Sequence, residues 1–584
     1  MPPRPKRPQK RLRNTEIAEK FEAIADMLAM QSANPFRVRA YQNAARTLRR
    51  YAVEAGDLIA HGQDLSELPG IGVDLAGKIR DLAETGTTEI YEELKRQTPE
   101  LAFTLMQLPG LGPKRVHALV DALKVKSLDE LRQAARAGRV REVSGFGPKA
   151  EAELLKAIEK AEMPIRRSIG AVTGDARILV DYLKAAPGVE EAVVAGSFRR
   201  GRESVGDLDL VVSSRAARAV MTHFTGFPGI ARVSAAGPTR ATVTLETGLQ
   251  VDLRVVKPES FGSALLYFTG SKAHNLELRA LAKERGLKLN EYGLYRGERR
   301  LAGRTEAEIY GKLGLDEIPP ELREAREEVE AARTHALPKL VERPDIKGDL
   351  HVRDEGQAIA PIVAAAETRG LSYLAMVSRP DRLGKASLGD RRAALQEAQK
   401  RAPRMRLVLG IEVDVLTDGS LAAADEVLKG ADVVFAGVNG QFDLPQAQQT
   451  ERLLAVLRNP YVAILAHPTC RIINRREPLD ADWPRIIREA SQRGVALEIS
   501  GDPERLDLTD VHCRMARDLG AGIVLGSDAR TPEELERIDL ALMQARRGWL
   551  APRNVLNTAP LDALLKRLHR HPTSSIAPRL AKAL

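Results

Sequence analysis

Two cysteines in 584 residues, Cys470 and Cys513, cannot build a disulfide framework or a cysteine-rich zinc module. Histidine is scarce as well: ten in all, with only His351, His467 and His512 between residues 341 and 550. No stretch approaches the ~18 consecutive apolar residues that a membrane helix needs. The Pro/Arg/Lys-rich first nine residues lack the apolar segment of a signal peptide. The expectation is a cytoplasmic protein in a reducing compartment, with no membrane partner.

What the chain does have is basic charge and ordinary core material. Lys and Arg outnumber Asp and Glu by 89 to 79, and 43% of residues are hydrophobic, so several cores can form. The excess is uneven, +8 over residues 1–340 and +2 over residues 341–584. A basic excess suggests a polyanionic partner, most simply nucleic acid. At roughly 150 residues per domain, the length implies about four domains. Residues 1–14 hold six basic residues and no acid, a basic arm able to touch phosphates. Short helical segments broken by Gly and Pro follow to residue 165. Strand patterns then appear at 192–195, 208–213, 241–245 and 250–256, with a helix at 176–185. After residue 345, strands at 373–377, 406–413, 433–437, 462–467, 495–499 and 522–526 alternate with helices, as in an α/β domain, barrel-like or open.

Three segments repeat one pattern: Leu68-Pro69-Gly70-Ile71-Gly72, Leu108-Pro109-Gly110-Leu111-Gly112-Pro113-Lys114 and Val143-Ser144-Gly145-Phe146-Gly147-Pro148-Lys149. The glycines permit a tight turn and leave the amides of the next helix uncovered. Such amides bind phosphate oxygens, helped by the helix dipole and by Lys114 or Lys149. Ile71, Leu111 and Phe146 would anchor the turns. The first copy has Asp74 where the others have lysine. The three resemble helix-hairpin-helix motifs, which hold DNA backbone without reading sequence.

The segment Gly196-Ser197-Phe198-Arg199-Arg200-Gly201 precedes Gly206-Asp207-Leu208-Asp209-Leu210. Two residues apart on a strand, Asp207 and Asp209 share a face, roughly 7 Å apart. A third acid, Asp252, alternates with inward Val251 and Leu253, and Arg254 shares its face and could pair with it when no metal is bound. Three carboxylates together call for cations, and oxygen donors suit Mg²⁺ or Mn²⁺. Two such ions would activate a 3′-hydroxyl and steady a leaving pyrophosphate. Ser197 and Arg200 are expected to bind phosphates.

Gly196-Ser197 with Asp207, Asp209 and Asp252 resembles the nucleotidyltransferase signature. With Tyr267-Phe268-Thr269-Gly270-Ser271, Asn290-Glu291-Tyr292 and the stretch from Asn34 to Tyr41, residues 15 to 325 resemble a family X DNA polymerase, in its bacterial form. That resemblance implies a DNA-directed DNA polymerase that fills gaps during repair, with gapped or primer–template DNA and deoxynucleoside triphosphates as partners. It implies a monomer that joins the nucleoid during repair. Gly206, Tyr267, Phe268, Gly270 and Asn275 would line the nucleotide site. Lys78 matches the family's Schiff-base lysine for abasic sugars; a helix lysine contacting phosphate is the alternative.

The second half resembles the PHP phosphoesterase domain of these polymerases, at Gly348-Asp349-Leu350-His351, Gly410-Ile411-Glu412, His467-Pro468-Thr469, Leu497-Glu498-Ile499 and Ser527-Asp528-Ala529. Active members bind a metal cluster there. Only His351, Glu412, His467 and Asp528 remain as ligands, while Arg353, Ser378-Arg379, Asn439 and Arg530 replace expected ones. Arginine offers no lone pair. The site metal is therefore expected to be absent or reduced and the domain catalytically inactive. The alternatives are a bifunctional polymerase with a PHP 3′-5′ exonuclease or AP endonuclease, and a non-catalytic DNA-binding scaffold.

The expected fold is multidomain α+β and α/β. It comprises an arm (1–14), a small helical domain (15–82), fingers (83–165), a nucleotidyltransferase palm (166–256), a thumb (257–325), a linker (326–345), a PHP-like α/β barrel (346–550) and a basic tail (551–584).

Overall fold

The computed structural model describes residues 12–568, apart from 13, 32, 52, 61, 99, 107, 109–110, 126, 162–165, 357 and 381–386. The chain forms two compact units, residues 1–165 and 166–584.

The first unit is helical. Its small domain packs Asn14–Met30 against Pro35–Arg50, with Asn34 capping the second helix through the Phe36 amide and Pro35 supplying the first turn. Ile17, Phe21, Ile24, Tyr41 and Leu48 are buried between them. A second core lies under the later hairpins, around Leu105, Val116, Leu131, Val140 and Ile158.

The second unit begins with a five-stranded sheet: β1 (Val189–Val194), β2 (Asp207–Ser214), β3 (Ile230–Ala236), β4 (Arg240–Leu245) and β5 (Gln250–Val256), in the order β1-β2-β5-β4-β3. The central pair β2 and β5 is parallel, and the other neighbours are antiparallel. Alternation sends Leu208, Leu210, Val251 and Leu253 into the core under helices Ile169–Lys184 and Ala217–Thr225. The acidic residues therefore share the other face. There helix Phe261–Thr269 packs Phe261, Ala264 and Leu265 on Val211 and Ala195. Three short strands, β6 (Lys288–Asn290), β7 (Gly293–Arg296) and β8 (Arg299–Ala302), complete the thumb region.

Seven parallel strands follow in sequential order: β9 (Gly348–Arg353), β10 (Tyr373–Ser378), β11 (Arg406–Asp414), β12 (Val433–Gly437), β13 (Val462–Ala466), β14 (Ala496–Ser500) and β15 (Ile523–Gly526). The sheet curls until its ends meet: the Arg353 amide donates to the Ala529 carbonyl at 2.8 Å and the Asp528 amide to the His351 carbonyl at 2.8 Å. The result is a nearly closed barrel. Its strands are buried on both faces, as apolar parallel strands require.

Two expected boundaries are corrected. Residues 326–345 are not a linker: helix Glu328–Arg333 lies within them, and Ala332 and Leu340 are buried in the thumb core beside Trp549 of the barrel side. Residues 551–568 are not a tail: helix Leu561–Leu568 packs Leu561, Leu564 and Leu565 on Leu350, Tyr373 and Val433. Of the basic arm only residues 12 and 14 are described, and Asn14 opens the first helix.

A buried ion network joins palm and thumb. Glu306 accepts from Arg199 Nη2 at 2.6 Å and from Arg323 Nη1 at 2.5 Å, while Arg323 is fully buried over the Tyr310 ring. His274 bridges Tyr310 and Glu328, at 2.9 and 2.8 Å. Burial opposes the charge on Glu306, but Arg323 and Arg199 outweigh it and bring its pKa down to about 2. A carboxylate held below its unfolded value of 4.5 stabilises the fold above that pH and loses the contribution as pH falls towards 2. On the order of 3 kcal/mol rides on it. Thermal unfolding followed from pH 5 to pH 2 is expected to show a shallower midpoint decline in Glu306→Gln than in the wild type; equal declines would remove Glu306 from the account.

Candidate active site

The first three candidate residues arrive by strand register. Asp209 pairs with Asp252 across the parallel β2–β5 ladder, and Asp207 pairs with Gln250. Thr242 of β4 is the opposite neighbour of Asp252. Its hydroxyl donates to one Asp252 oxygen, and Gln250 Nε2 donates to the other at 2.7 Å. Asp252 is thus oriented by two side chains that the sequence reading did not single out. Arg254 does not pair with Asp252; it lies over the Phe268 ring, 5.1 Å from its centre.

Gly196 is fixed by this geometry. Its φ is +61°, and a Cβ there would lie 2.1 Å from Asp209 Oδ2. Only glycine allows the turn after β1 to press against the carboxylate. The Ala195 amide donates to the Asp209 carbonyl at 2.7 Å and seats that turn on β2. Ser197 lies in the one-turn helix Gly196–Arg199 that follows. Gly206 immediately precedes β2, with space for a Cβ 3.6 Å from Arg166 Nη1.

Arg200 is not directed at open solvent. Its Nε donates to Glu324 at 3.1 Å and its Nη1 to the Thr269 carbonyl. Tyr267 and Phe268 meet edge to face at 5.2 Å at the end of helix Phe261–Thr269. Gly270 follows at φ +64°, joined to Ser271 by a cis peptide. Asn275 Nδ2 donates to the Tyr267 carbonyl at 2.7 Å. Tyr267 is 38% exposed, so its ring is accessible to a ligand.

The donor set Asp207, Asp209 and Asp252 suits hard divalent cations, since all donors are carboxylate oxygens on one face of adjacent strands. Among the described residues, no group of three or more His, Cys, Asp or Glu side chains is close enough to hold a metal ion as it stands.

The hairpins keep their turns. Gly70 and Gly145 have φ of +77° and +85°, and Ile71, Leu111 and Phe146 are buried as anchors. Gly72 and Gly112 cap helices Val73–Thr85 and Pro113–Leu123. Gly147 precedes helix Pro148–Ala161. A Cβ at Gly72, Gly112 or Gly147 would meet nothing within 4 Å. Lys114 and Lys149 are exposed beside them. Gly110 lies outside the described residues. Arg115 ties the second and third turns together, donating to the Gly145 carbonyl at 2.9 Å and covering the Phe146 ring. Lys78 forms an ion pair with Asp74, the residue that departs from the repeat. A nucleophilic amine would first have to leave that pair.

At the carboxyl end of the barrel, His351, Glu412, His467 and Asp528 do converge, but around an arginine. Arg353 donates through Nη1 to Glu412 and through Nε to Asp528. His351 Nδ1 meets Glu498 at 2.6 Å, and His467 Nε2 meets Glu412 at 3.3 Å. Arg379 reaches Asp414 at 2.7 Å and Glu412 at 3.5 Å, and Asn439 donates to both at 2.8 and 3.2 Å. Burial opposes the His351 charge, yet Glu498 outweighs it and pushes the pKa up to about 10. Burial also opposes the Glu412 charge, and Arg353 with the two histidines holds it well below the carboxylate range. A metal needs a neutral imidazole and open carboxylates. Here both carboxylates already carry a guanidinium, so the residues present do not fit a metal cluster.

Residues 12–88 match a helix-hairpin-helix domain, residues 103–160 a SAM-like helix-hairpin-helix tandem, and residues 264–324 the DNA polymerase beta thumb. The chain is 34% identical over 572 residues to the DNA polymerase/3′-5′ exonuclease PolX of Bacillus subtilis, covering 94% of this chain and 99% of that protein. It is 25% identical over 340 residues to DNA polymerase lambda of Rattus norvegicus, covering 52% of this chain and 55% of that protein. It is 25% identical over 354 residues to the DNA-directed DNA/RNA polymerase mu of Homo sapiens, covering 53% and 69%.

Proposed function

The chain belongs to the PolX family of DNA polymerases, and from that membership we propose that it extends a primer 3′-hydroxyl across short gaps in duplex DNA while its barrel performs no hydrolysis. The observation that carries the polymerase reading is the register of Asp209 on Asp252, with Asp207 on the same face and Gly196 closed against Asp209. Asp207, Asp209 and Asp252 would hold two Mg²⁺ or Mn²⁺ ions, which when bound supply charge neutralisation for the attacking hydroxyl and the triphosphate.

The chain's own side chains do the rest. Gln250 and Thr242 hold Asp252 in one rotamer. Ser197 and Arg200 take triphosphate oxygens, Tyr267 and Phe268 flank the sugar, and Asn275 stands near the base. The glycine turns, with Lys114 and Lys149, hold backbone phosphates irrespective of sequence.

For the barrel, the proposal rests on Arg353 between Glu412 and Asp528. The name of the Bacillus relative includes a 3′-5′ exonuclease, which favours a bifunctional reading. The arginine argues against it, because its charge does not leave near neutral pH.

Primer extension on a one-nucleotide gap tests the polymerase reading. Metal-dependent addition of one nucleotide is expected in the wild type, with a loss of at least ~10³-fold in Asp252→Ala. Extension that survives Asp252→Ala would overturn it.

A further inference from the structure

The ion network behind Arg200 runs into the barrel. Arg547 ends helix Ile538–Arg547, and its side chain is only 2% exposed. Its Nη1 donates to the Arg200 carbonyl at 2.7 Å and to Glu324 at 3.2 Å; its Nη2 donates to Asp510 at 2.6 Å. Glu324 is the same carboxylate that accepts from Arg200 Nε at 3.1 Å. One barrel arginine therefore holds the main chain of Arg200 directly and its side chain through Glu324. The contact is tight: a Cβ on Gly201 would lie 2.5 Å from Met543 Cγ of the same helix.

The guanidinium of Arg200 cannot serve Glu324 and a triphosphate equally with the same N–H groups. When it turns to phosphate, Glu324 would be left as a buried, unpaired carboxylate, which is strongly unfavourable. Arg547 removes that obstacle. Asp510 is also held by Arg326 at 2.9 Å, so Arg547 Nη1 can move closer onto Glu324 without leaving Asp510 unpaired. Arg202 Nη1 stands 4.0 Å from Glu324 as a further cation. With Arg200 gone, each acid in the cluster still has an arginine.

We infer that Arg547 is a positioning residue for nucleotide binding: it keeps Glu324 paired when Arg200 engages the triphosphate, so that a barrel without hydrolytic chemistry sets the polymerase's affinity for its nucleotide. The inference rests on the polymerase reading and on Arg200 as a phosphate ligand. It gives the retained barrel a task that does not need a metal.

Steady-state extension of a one-nucleotide gap, at varied deoxynucleoside triphosphate, reads this directly. Arg547→Met is expected to raise the nucleotide KM about tenfold with kcat within about twofold and DNA affinity unchanged. Glu324→Gln, which lets Arg200 go without leaving a charge behind, is expected to lower KM by about threefold alone. In the double variant it brings KM back to near the wild-type value. Arg547→Lys keeps the charge but not the three contacts, and its KM is expected to lie between. A purely structural role would lower kcat with KM and show no rescue by Glu324→Gln. An unchanged KM in folded Arg547→Met, or a raised KM in Glu324→Gln, overturns the inference while wild-type extension leaves the polymerase reading standing. A wild type that neither extends a primer nor binds nucleotide in Ca²⁺ overturns both.

Discussion

Replacing Arg353 by methionine is expected to destabilise the barrel by about 3 kcal/mol, because it removes the principal counter-charge from two buried carboxylates and leaves Glu412 to Arg379 and His467. Glu412 is 1% and Asp528 3% exposed, so water cannot take over the role. For a folded unit of this size the thermal midpoint should fall by roughly 3–6 °C. Arg353→His should behave differently once metal is added. It removes the fixed charge and places an imidazole two residues from His351, beside Glu412, His467 and Asp528. Differential scanning fluorimetry with EDTA or Mn²⁺ separates the cases. All the proteins carry Asp207→Asn/Asp252→Asn, which removes the palm site; in that background the chain with Arg353 intact should not respond to Mn²⁺. Arg353→His should unfold early in EDTA and recover several degrees in Mn²⁺, through binding to the native state alone. A wild-type midpoint that rises with Mn²⁺ in an Asp207→Asn/Asp252→Asn background would mean that the barrel holds metal in spite of Arg353.

Gly196→Ala should slow extension roughly 100-fold while sparing the fold. The substitution puts a methyl 2.1 Å from Asp209 Oδ2 at a φ of +61°. Something must shift, and the carboxylate is the mobile partner. A displacement of about 1 Å in a catalytic group costs roughly 100-fold. The left-handed backbone adds about 1 kcal/mol of strain, a few degrees in midpoint at most. Gly174→Ala, in a palm helix with nothing within 4 Å of the new Cβ, is the matched control and should extend like the wild type. Extension by Gly196→Ala within about fivefold of the wild type would remove the close packing of the turn from the mechanism.

Much of this was legible in the sequence, for identifiable reasons. Strands β4 and β5 alternate apolar and polar residues throughout, and β2 does so from Asp207 to Leu210, so the shared face of Asp207, Asp209 and Asp252 follows from a period of two. Strand β3 escaped because Ala231–Ala236 is exposed throughout and carries no pattern. Strand β9 escaped for the opposite reason. All six residues are buried, but Asp349, His351 and Arg353 break the apolar run with side chains that meet one another's partners instead of solvent. That the C-terminal stretch is basic and partly helical was legible; that helix Leu561–Leu568 packs its leucines on the barrel was not, because basic neighbours flank it. The replacement of barrel histidines by arginine was visible; that Arg353 reaches Glu412 and Asp528 needed the closed barrel, 59 and 175 residues away in sequence. The Arg200–Glu324–Arg547 relay had no local signal, since no motif links positions 124 and 223 residues apart. Among the orienting groups, only Gln250, two residues from Asp252, was within reach of pattern reasoning.

We propose one working site and one silent site in a single chain. It is tested most directly with a 5′-labelled one-nucleotide-gapped duplex in Mn²⁺, with and without deoxynucleoside triphosphate, for wild type, Asp252→Ala and His467→Ala. Wild type and His467→Ala are expected to lengthen the primer when nucleotide is present, Asp252→Ala is not, and none should shorten it when nucleotide is withheld. Shortening that persists in Asp252→Ala and disappears in His467→Ala would contradict it.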